Sequence, residues 1–168
     1  GFNQLPSVLP HRDITPVKPD ALRSLKQELR RILCRAGANE VLTYSFVHGD
    51  TLKKANQKPE QAFALRNALS PDLQYFRLSL LPSLLDRVHA NIKMGYDEFT
   101  LFEIGKGHNK AVIDEETGIP DEINNLEMVY TSAEPKEGAA YYKMLRTVEY
   151  TLTQLGIQYR LESLDEGW

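Results

Sequence analysis

The chain has 168 residues, 42% hydrophobic and 26% charged, and its 20 lysines and arginines against 23 aspartates and glutamates give a formal charge of −3. A domain of this length buries roughly 70% of the surface of its unfolded chain, enough for one core. The acidic balance supplies no global field to recruit nucleic acid, which argues against a free-standing DNA- or RNA-binding domain and leaves only a local basic patch open. The single cysteine, Cys34, excludes an internal disulfide and a multi-cysteine metal site. Its place in an apolar-periodic segment predicts a buried, unreactive thiol. No apolar run approaches the ~18 residues of a membrane span and no signal-peptide pattern is present, so a cytoplasmic location is expected. Starting at Gly1 with a proline-rich lead-in, the sequence reads as a piece of something longer.

Residues 1–19 contain Pro6, Pro10, Pro16 and Pro19, each without an amide donor, and predict a linker. Phe2, Leu5 and Leu9 are expected to pin it to a surface. A domain spanning 20–168 then begins with a helix from Ala21 to Ala36. Asp20 is its N-cap, Leu22, Leu25, Leu29, Ile32 and Leu33 share one face, and Gly37 ends it in a left-handed turn. The opposite face carries Arg23, Lys26, Arg30, Arg31 and Arg35 against Glu28. A solvated face is the plainer reading, and a surface for an acidic partner or an RNA backbone is the sharper one.

Glu40–Val47 is rich in β-branched and aromatic residues and predicts a strand. A short polar helix over Asp50–Asn56 and a strand near Phe63–Arg66 follow. An extended segment ends at Arg77, and a helix then buries Leu81, Leu84, Leu85, Val88 and Ile92, with Ser79 as N-cap and Pro82 in the first turn. Phe99–Gly105 is the next strand. Ala111–Glu122, acidic with Gly118 and Pro120 and no arginine or lysine, is a hairpin loop or excursion. Leu126–Ser132 is a strand, and Ala139–Leu155 a helix with Tyr142, Leu145, Val148, Leu152 and Leu155 inward and Gly156 as its cap. Residues 157–164, "IQYRLESL", run out as a strand. Strands that follow one another without crossover helices predict an α+β fold, an antiparallel sheet flanked by helices.

Few residues carry a chemical signature. His11, His48, His89 and His108 lack metal-ligand spacing. "GKGHNK" at 105–110 has neither the spacing of a phosphate loop nor a following helix, so Lys106 is better read in a turn than on a phosphate. Ser45, Ser70, Ser79 and Ser83 have no glycine-framed elbow, and Glu115 with Glu116 sit in the acidic loop. Arg77 is the ambiguous residue: an arginine at the end of an extended segment binds a phosphate or carboxylate bidentately, or ties down neighbouring carbonyls. The pattern alone leaves both open.

Four blocks in order, "GFNQLPSVLP", "GANEVLTYSFV", "LRNALSPDLQYFRLSLLPSLLDRVHANI" and "FTLFEIGKG", resemble the beta chain of bacterial phenylalanine–tRNA ligase over nearly the whole chain, most specifically from Glu40 to Gly105. Ala68, Leu78, Ser83 and His108 depart from the usual proline, threonine, glycine and aromatic residue. The resemblance implies a class II aminoacyl-tRNA synthetase-like module that has lost catalysis and that stops at Trp168, before its last strand and helix. Its first motif, Ala21–Ala36 with Glu40–Phe46, implies a subunit interface involving Leu25, Leu29, Arg30, Ile32, Tyr44 and Phe46. Its second motif, from Phe99 to Leu126, contains no arginine for an ATP phosphate, and the next one is Arg146. Arg77 lies ahead of that motif and is therefore expected, with Ser79 and Pro82, to form a structural junction.

The resemblance thus implies no catalytic, cofactor-binding or metal-binding residue here. ATP and magnesium belong to the parent complex, an α2β2 assembly with a catalytic alpha subunit, and tRNA is met only in that context. The alternatives are a divergent adenylate-forming enzyme and an RNA-binding module using the basic face of the first helix. A sheet without its last strand would also expose an unpaired edge, which predicts self-association.

Overall fold

A computed structural model describes residues 1–9, 11–133, 136 and 138–162. The first helix, α1 (Ala21–Arg35), starts where predicted: the Asp20 carboxylate accepts the Arg23 amide at 2.6 Å. Gly37, at φ +85°, turns the chain out of it, a conformation open to glycine because it has no Cβ. The predicted apolar stripe is buried only at its C-terminal half. Ile32 and Leu33 are buried and Leu29 packs beside Ala38, Phe102 and Ile104, whereas Leu22 and Leu25 remain exposed. Cys34 is exposed, not buried as predicted; one residue past Leu33, it is rotated about 100° away from the core.

The expected strand Glu40–Val47 is two strands belonging to two sheets. β1 (Ala38–Glu40) runs parallel to β4 (Glu98–Gly107), with Ala38 opposite Thr100 and Glu40 opposite Phe102. β2 (Phe46–Val47) pairs antiparallel with β3 (Tyr75–Phe76). Residues 41–45 cross between them. Their path is held by Val41, which donates to the Phe102 carbonyl at 2.9 Å, and by Ser45, whose carbonyl accepts the Arg77 amide at 3.0 Å. α2 (Gly49–Lys54) is the short polar helix, capped by the His48 ring accepting the Asp50 amide. The strand expected near 63–66 is a single bridge, Ala64 to Tyr75.

α3 (Leu81–Lys93) has Pro82 in its first turn, where a missing amide is harmless. Ser79 is not its N-cap. The Glu127 carboxylate, reaching over from β5, accepts the Leu80 amide at 3.1 Å, while the Ser79 hydroxyl accepts from Gln57 Nε2 at 2.7 Å. β5 (Ile123–Ser132) pairs with β4 antiparallel along its full length, giving the order β1-β4-β5. The sheet is therefore mixed, with one parallel pairing added to the antiparallel hairpin that the sequence predicts. Between β4 and β5, the acidic excursion closes on itself through an Ile113–Pro120 bridge and an Asp114 turn that takes the Thr117 amide and hydroxyl.

α4 (Ala139–Gln154) lies against α1 and β5 and is closed by Gly156 at φ +68°. Phe102 and Ile104 face α1, whereas Glu103 and Gly105 face Arg77 and Leu80. Alternation along β4 therefore puts α1 and α4 on one side of the sheet and the Arg77–α3 segment on the other. Several expected inward residues are exposed: Leu85 and Ile92 of α3 and Tyr142 of α4. Residues 157–162 form no strand, and 163–164 lie outside the described residues. Leu5 and Leu9 are also exposed, so they do not anchor the proline-rich segment.

Candidate functional site

β4 carries an acid where its neighbours are apolar. Glu103, 1% exposed between Phe102 and Ile104, points to the side opposite the apolar core. A carboxylate in that position needs a cation, because an unpaired buried charge loses several kcal/mol of solvation. The cation is Arg77, 4% exposed, whose Nη2 lies 2.9 Å from Glu103 Oε1. Its Nη1 donates to Thr43 Oγ1 at 2.7 Å and its Nε to the Lys106 carbonyl at 3.1 Å. Thr43 in turn donates to the second oxygen of Glu103 at 2.6 Å. The main chain of Arg77 adds two links, its amide to Ser45 and its carbonyl to the amide of His108, both 3.0 Å. One arginine thus joins the crossing segment 41–45, the end of β3 and the end of β4.

The glycines of "GKG" make room for this arrangement. A Cβ on Gly105 would stand 2.7 Å from Arg77 Nη2, and one on Gly107 would stand 2.4 Å from the Leu78 carbonyl oxygen. Both are closer than real Cβ contacts, so these glycines serve backbone and guanidinium approach.

Above the pair, Tyr44, Phe46, Phe76, Lys106, His108 and Glu122 line an open cleft of about 500 Å³. Phe46 meets Phe76 edge-on at 4.8 Å between ring centres, and Phe76 meets His108 in the same way at 4.9 Å. His108, the departure from an aromatic residue, still contributes a ring. Partial burial holds its pKa below the usual histidine value, with Lys106 and Arg77 acting in the same direction and Glu122 opposing. Lys106 is paired with Glu122, whose pKa is lowered by that contact. Among the described residues, no three His, Cys, Asp or Glu side chains are placed to hold a metal ion.

The other predicted residues do not gather into one surface. Ile32 is 1% exposed inside the chain's own core and has no surface to offer a partner, and Leu29 is packed beside that core. Leu25 is 44% exposed and Tyr44 63%, whereas Phe46 is half-buried against Phe76. Arg30 pairs with Glu40 at 2.7 Å, Arg31 with Glu28 at 2.7 Å, and Lys26 donates to Asn124 at 2.6 Å, so much of the basic face of α1 is engaged.

The sequence reading found Arg77 but missed Glu103, Thr43, Gly107 and Glu127. The available signal was the acid in "TLFEIG": a charge within an otherwise apolar strand asks for a buried partner.

Comparison with known proteins gives this geometry a family. Residues 5–168 match the family model described as the phenylalanyl tRNA synthetase beta chain CLM domain. The phenylalanine–tRNA ligase beta subunit of Syntrophus aciditrophicus is 32% identical over 141 residues, covering 82% of this chain and 17% of that protein. Its counterpart from Bacillus cereus is 32% identical over 133 residues, covering 78% and 16%. The chain therefore spans about a sixth of the length of these relatives. Among solved structures, the pyrrolysyl tRNA synthetase PylSc of Desulfitobacterium hafniense superposes with a TM-score of 0.62 at 21% identity, over 82% of this chain and 46% of that one, a likeness of fold. The mixed sheet with helices on both sides is thus of class II synthetase type, and the chain belongs to the family of the phenylalanyl tRNA synthetase beta chain CLM domain.

Proposed function

We propose that this chain is a non-catalytic scaffold module that supports assembly of a phenylalanine–tRNA ligase beta subunit with a catalytic alpha subunit, within an α2β2 enzyme that charges tRNA(Phe) in the cytoplasm. The observation that carries this reading is the state of Arg77. Its Nε, Nη1 and Nη2 are all engaged inside the fold. Phosphoryl chemistry needs positioned cations with donors to spare, and the other cation beside the cleft, Lys106, is held by Glu122. ATP and magnesium are on this reading bound by the partner subunit, and the residues present here do not fit them. Residues 1–19 act as a linker, and 20–168 as the module.

The surface offered to the alpha subunit is the exposed half of α1, Leu22 and Leu25. Light scattering behind size exclusion, on the chain mixed with the cognate alpha subunit, tests it. A heteromeric peak that weakens in Leu25→Glu, with circular dichroism unchanged, is expected. No association would reduce the functional reading to fold alone.

A further inference from the structure

A second cavity, of about 510 Å³, lies where segment 41–45 meets α2 and α3, and shares Tyr44 and Phe46 with the cleft above Arg77. α3 contributes Ser83, Asp86 and Arg87 to it. Positions i, i+3 and i+4 of a helix are neighbours on one face, about 5–6 Å apart. A hydroxyl, a carboxylate and a guanidinium therefore stand within one helical turn.

Ser83 is the unusual member. It is 8% exposed, and among the described residues neither its hydroxyl nor its amide meets a hydrogen-bond partner. The amide is an orphan of the first helical turn. Pro82 before it has no N–H, and Leu84 after it donates to the Leu80 carbonyl at 3.1 Å. Among the described residues, Gln57 Oε1 is the only fully enclosed side-chain polar atom left unpartnered, so the Ser83 hydroxyl opens onto the cavity that the residue lines. A buried donor without a partner is costly. Two of them on one residue, at the positive end of a helix dipole, favour an anionic oxygen.

The other charges of the cavity specify what carries that oxygen. Asp86 and Arg87 form an exposed ion pair with each other, an association worth little by itself and open to exchange of partners. Asp72 adds a second carboxylate, while His48 is engaged by the Asp50 amide through Nδ1. A polyphosphate would set its charges against both aspartates. A zwitterion meets both ends of the Asp86–Arg87 pair, and the rest of the wall, Leu42, Phe46, Val47 and Leu73, is apolar. The volume lies within the roughly 300–1,000 Å³ of small-molecule sites.

We propose that this cavity binds a free α-amino acid with an apolar side chain. Its carboxylate lies on Ser83 and Arg87, its ammonium on Asp86 and its side chain against the apolar wall. The site is separate from the α1 surface and adds ligand binding to the scaffold role.

Equilibrium dialysis of the chain against labelled L-leucine and L-phenylalanine tests this. Saturable binding of at least one is expected, with a dissociation constant of roughly 0.1–1 mM. Leucinamide, which lacks the carboxylate, and 4-methylpentanoate, which lacks the ammonium, should each bind about tenfold more weakly than L-leucine. Ser83→Ala should weaken amino-acid binding about tenfold, and Arg87→Gln about threefold. Arg87 is exposed, so its variant keeps the test open if Ser83→Ala disturbs the circular dichroism spectrum. No saturable binding of either amino acid below ~10 mM, the upper reach expected of such a small ligand, would overturn the proposal. So would analogues that bind as tightly as L-leucine, or folded variants that bind as the parent does. The Leu25→Glu variant addresses the α1 surface instead, so failure of subunit assembly and failure of ligand binding are read from different substitutions.

Discussion

The two faces of β4 solve the same burial problem by different means. On one, Phe102 and Ile104 pack with Leu33, Ala38, Leu126 and Met128 in an apolar cluster. On the other, Glu103 is as deeply buried, yet it is matched by Arg77 and Thr43 and given space by Gly105. The apolar face tolerates any arrangement of about the right volume, because dispersion and the hydrophobic effect have little directionality. The polar face has one geometry, because each donor and acceptor must meet its partner. A string of charge and glycine can thus be wholly devoted to holding backbone segments together.

The largest expected effects set the two faces side by side. Phe102→Ala is expected to cost about 3–5 kcal/mol in equilibrium urea denaturation, and Glu103→Ala a similar ~3–5 kcal/mol because it strands the Arg77 charge. Repair distinguishes them. Combining Arg77→Met with Glu103→Leu, which removes both charges, should recover most of the loss. A Glu103→Ala cost below about 1 kcal/mol, the range of exposed pairs, would mean that the pair is not a structural requirement.

Next in size are the glycines. Gly107→Ala meets a main-chain carbonyl oxygen at 2.4 Å, whereas Gly105→Ala meets Arg77 Nη2 at 2.7 Å, which gives way only by disturbing its contact with Glu103. Both should destabilise by about 1–3 kcal/mol, with Gly107→Ala the more costly. The reverse order of denaturation midpoints would place the tighter approach at Arg77 instead of Leu78.

The smallest effect is titration of His108. Its folded-state pKa lies below the usual value of 6.5, first through burial. The unfolded chain therefore binds this proton more readily, so stability rises with pH through the window just below 6.5 and is lost as pH falls through the folded value. Glu98, Asp114 and Glu122, also lowered, by hydrogen bonds from Tyr130, Thr117 and Lys106 in turn, lose their contributions only at more acidic pH. Melting temperatures between pH 5 and 8 should slope upward in the parent chain and be flatter in His108→Phe. Equal slopes would assign the dependence to another group.

Most of the local architecture was legible. Asp20 and Gly37 marked α1, the acidic Gly118–Pro120 stretch marked the excursion, and "FTLFEIG" marked β4, because each signal is local. What escaped is non-local. The break inside Glu40–Val47 depends on Thr43 meeting Glu103 and Arg77, and propensity sees only a β-branched run. Ser79 had the right chemistry for a cap, but its hydroxyl is taken by Gln57, and the Leu80 amide is served by Glu127 from another strand. Exposure of Leu25, Leu85 and Tyr142 was equally invisible, since periodicity tells which face is apolar and not how far the sheet extends beneath it.

The most direct test of the central claim, that Arg77 is committed to the fold and not to a phosphate, is calorimetric titration of the folded chain with ATP and magnesium. No saturable heat is expected, in the parent chain or in Lys106→Ala. Saturable binding that is abolished by substituting Arg77 or Lys106, in variants whose circular dichroism shows the fold retained, would contradict the account and return this sheet to the nucleotide-binding synthetases.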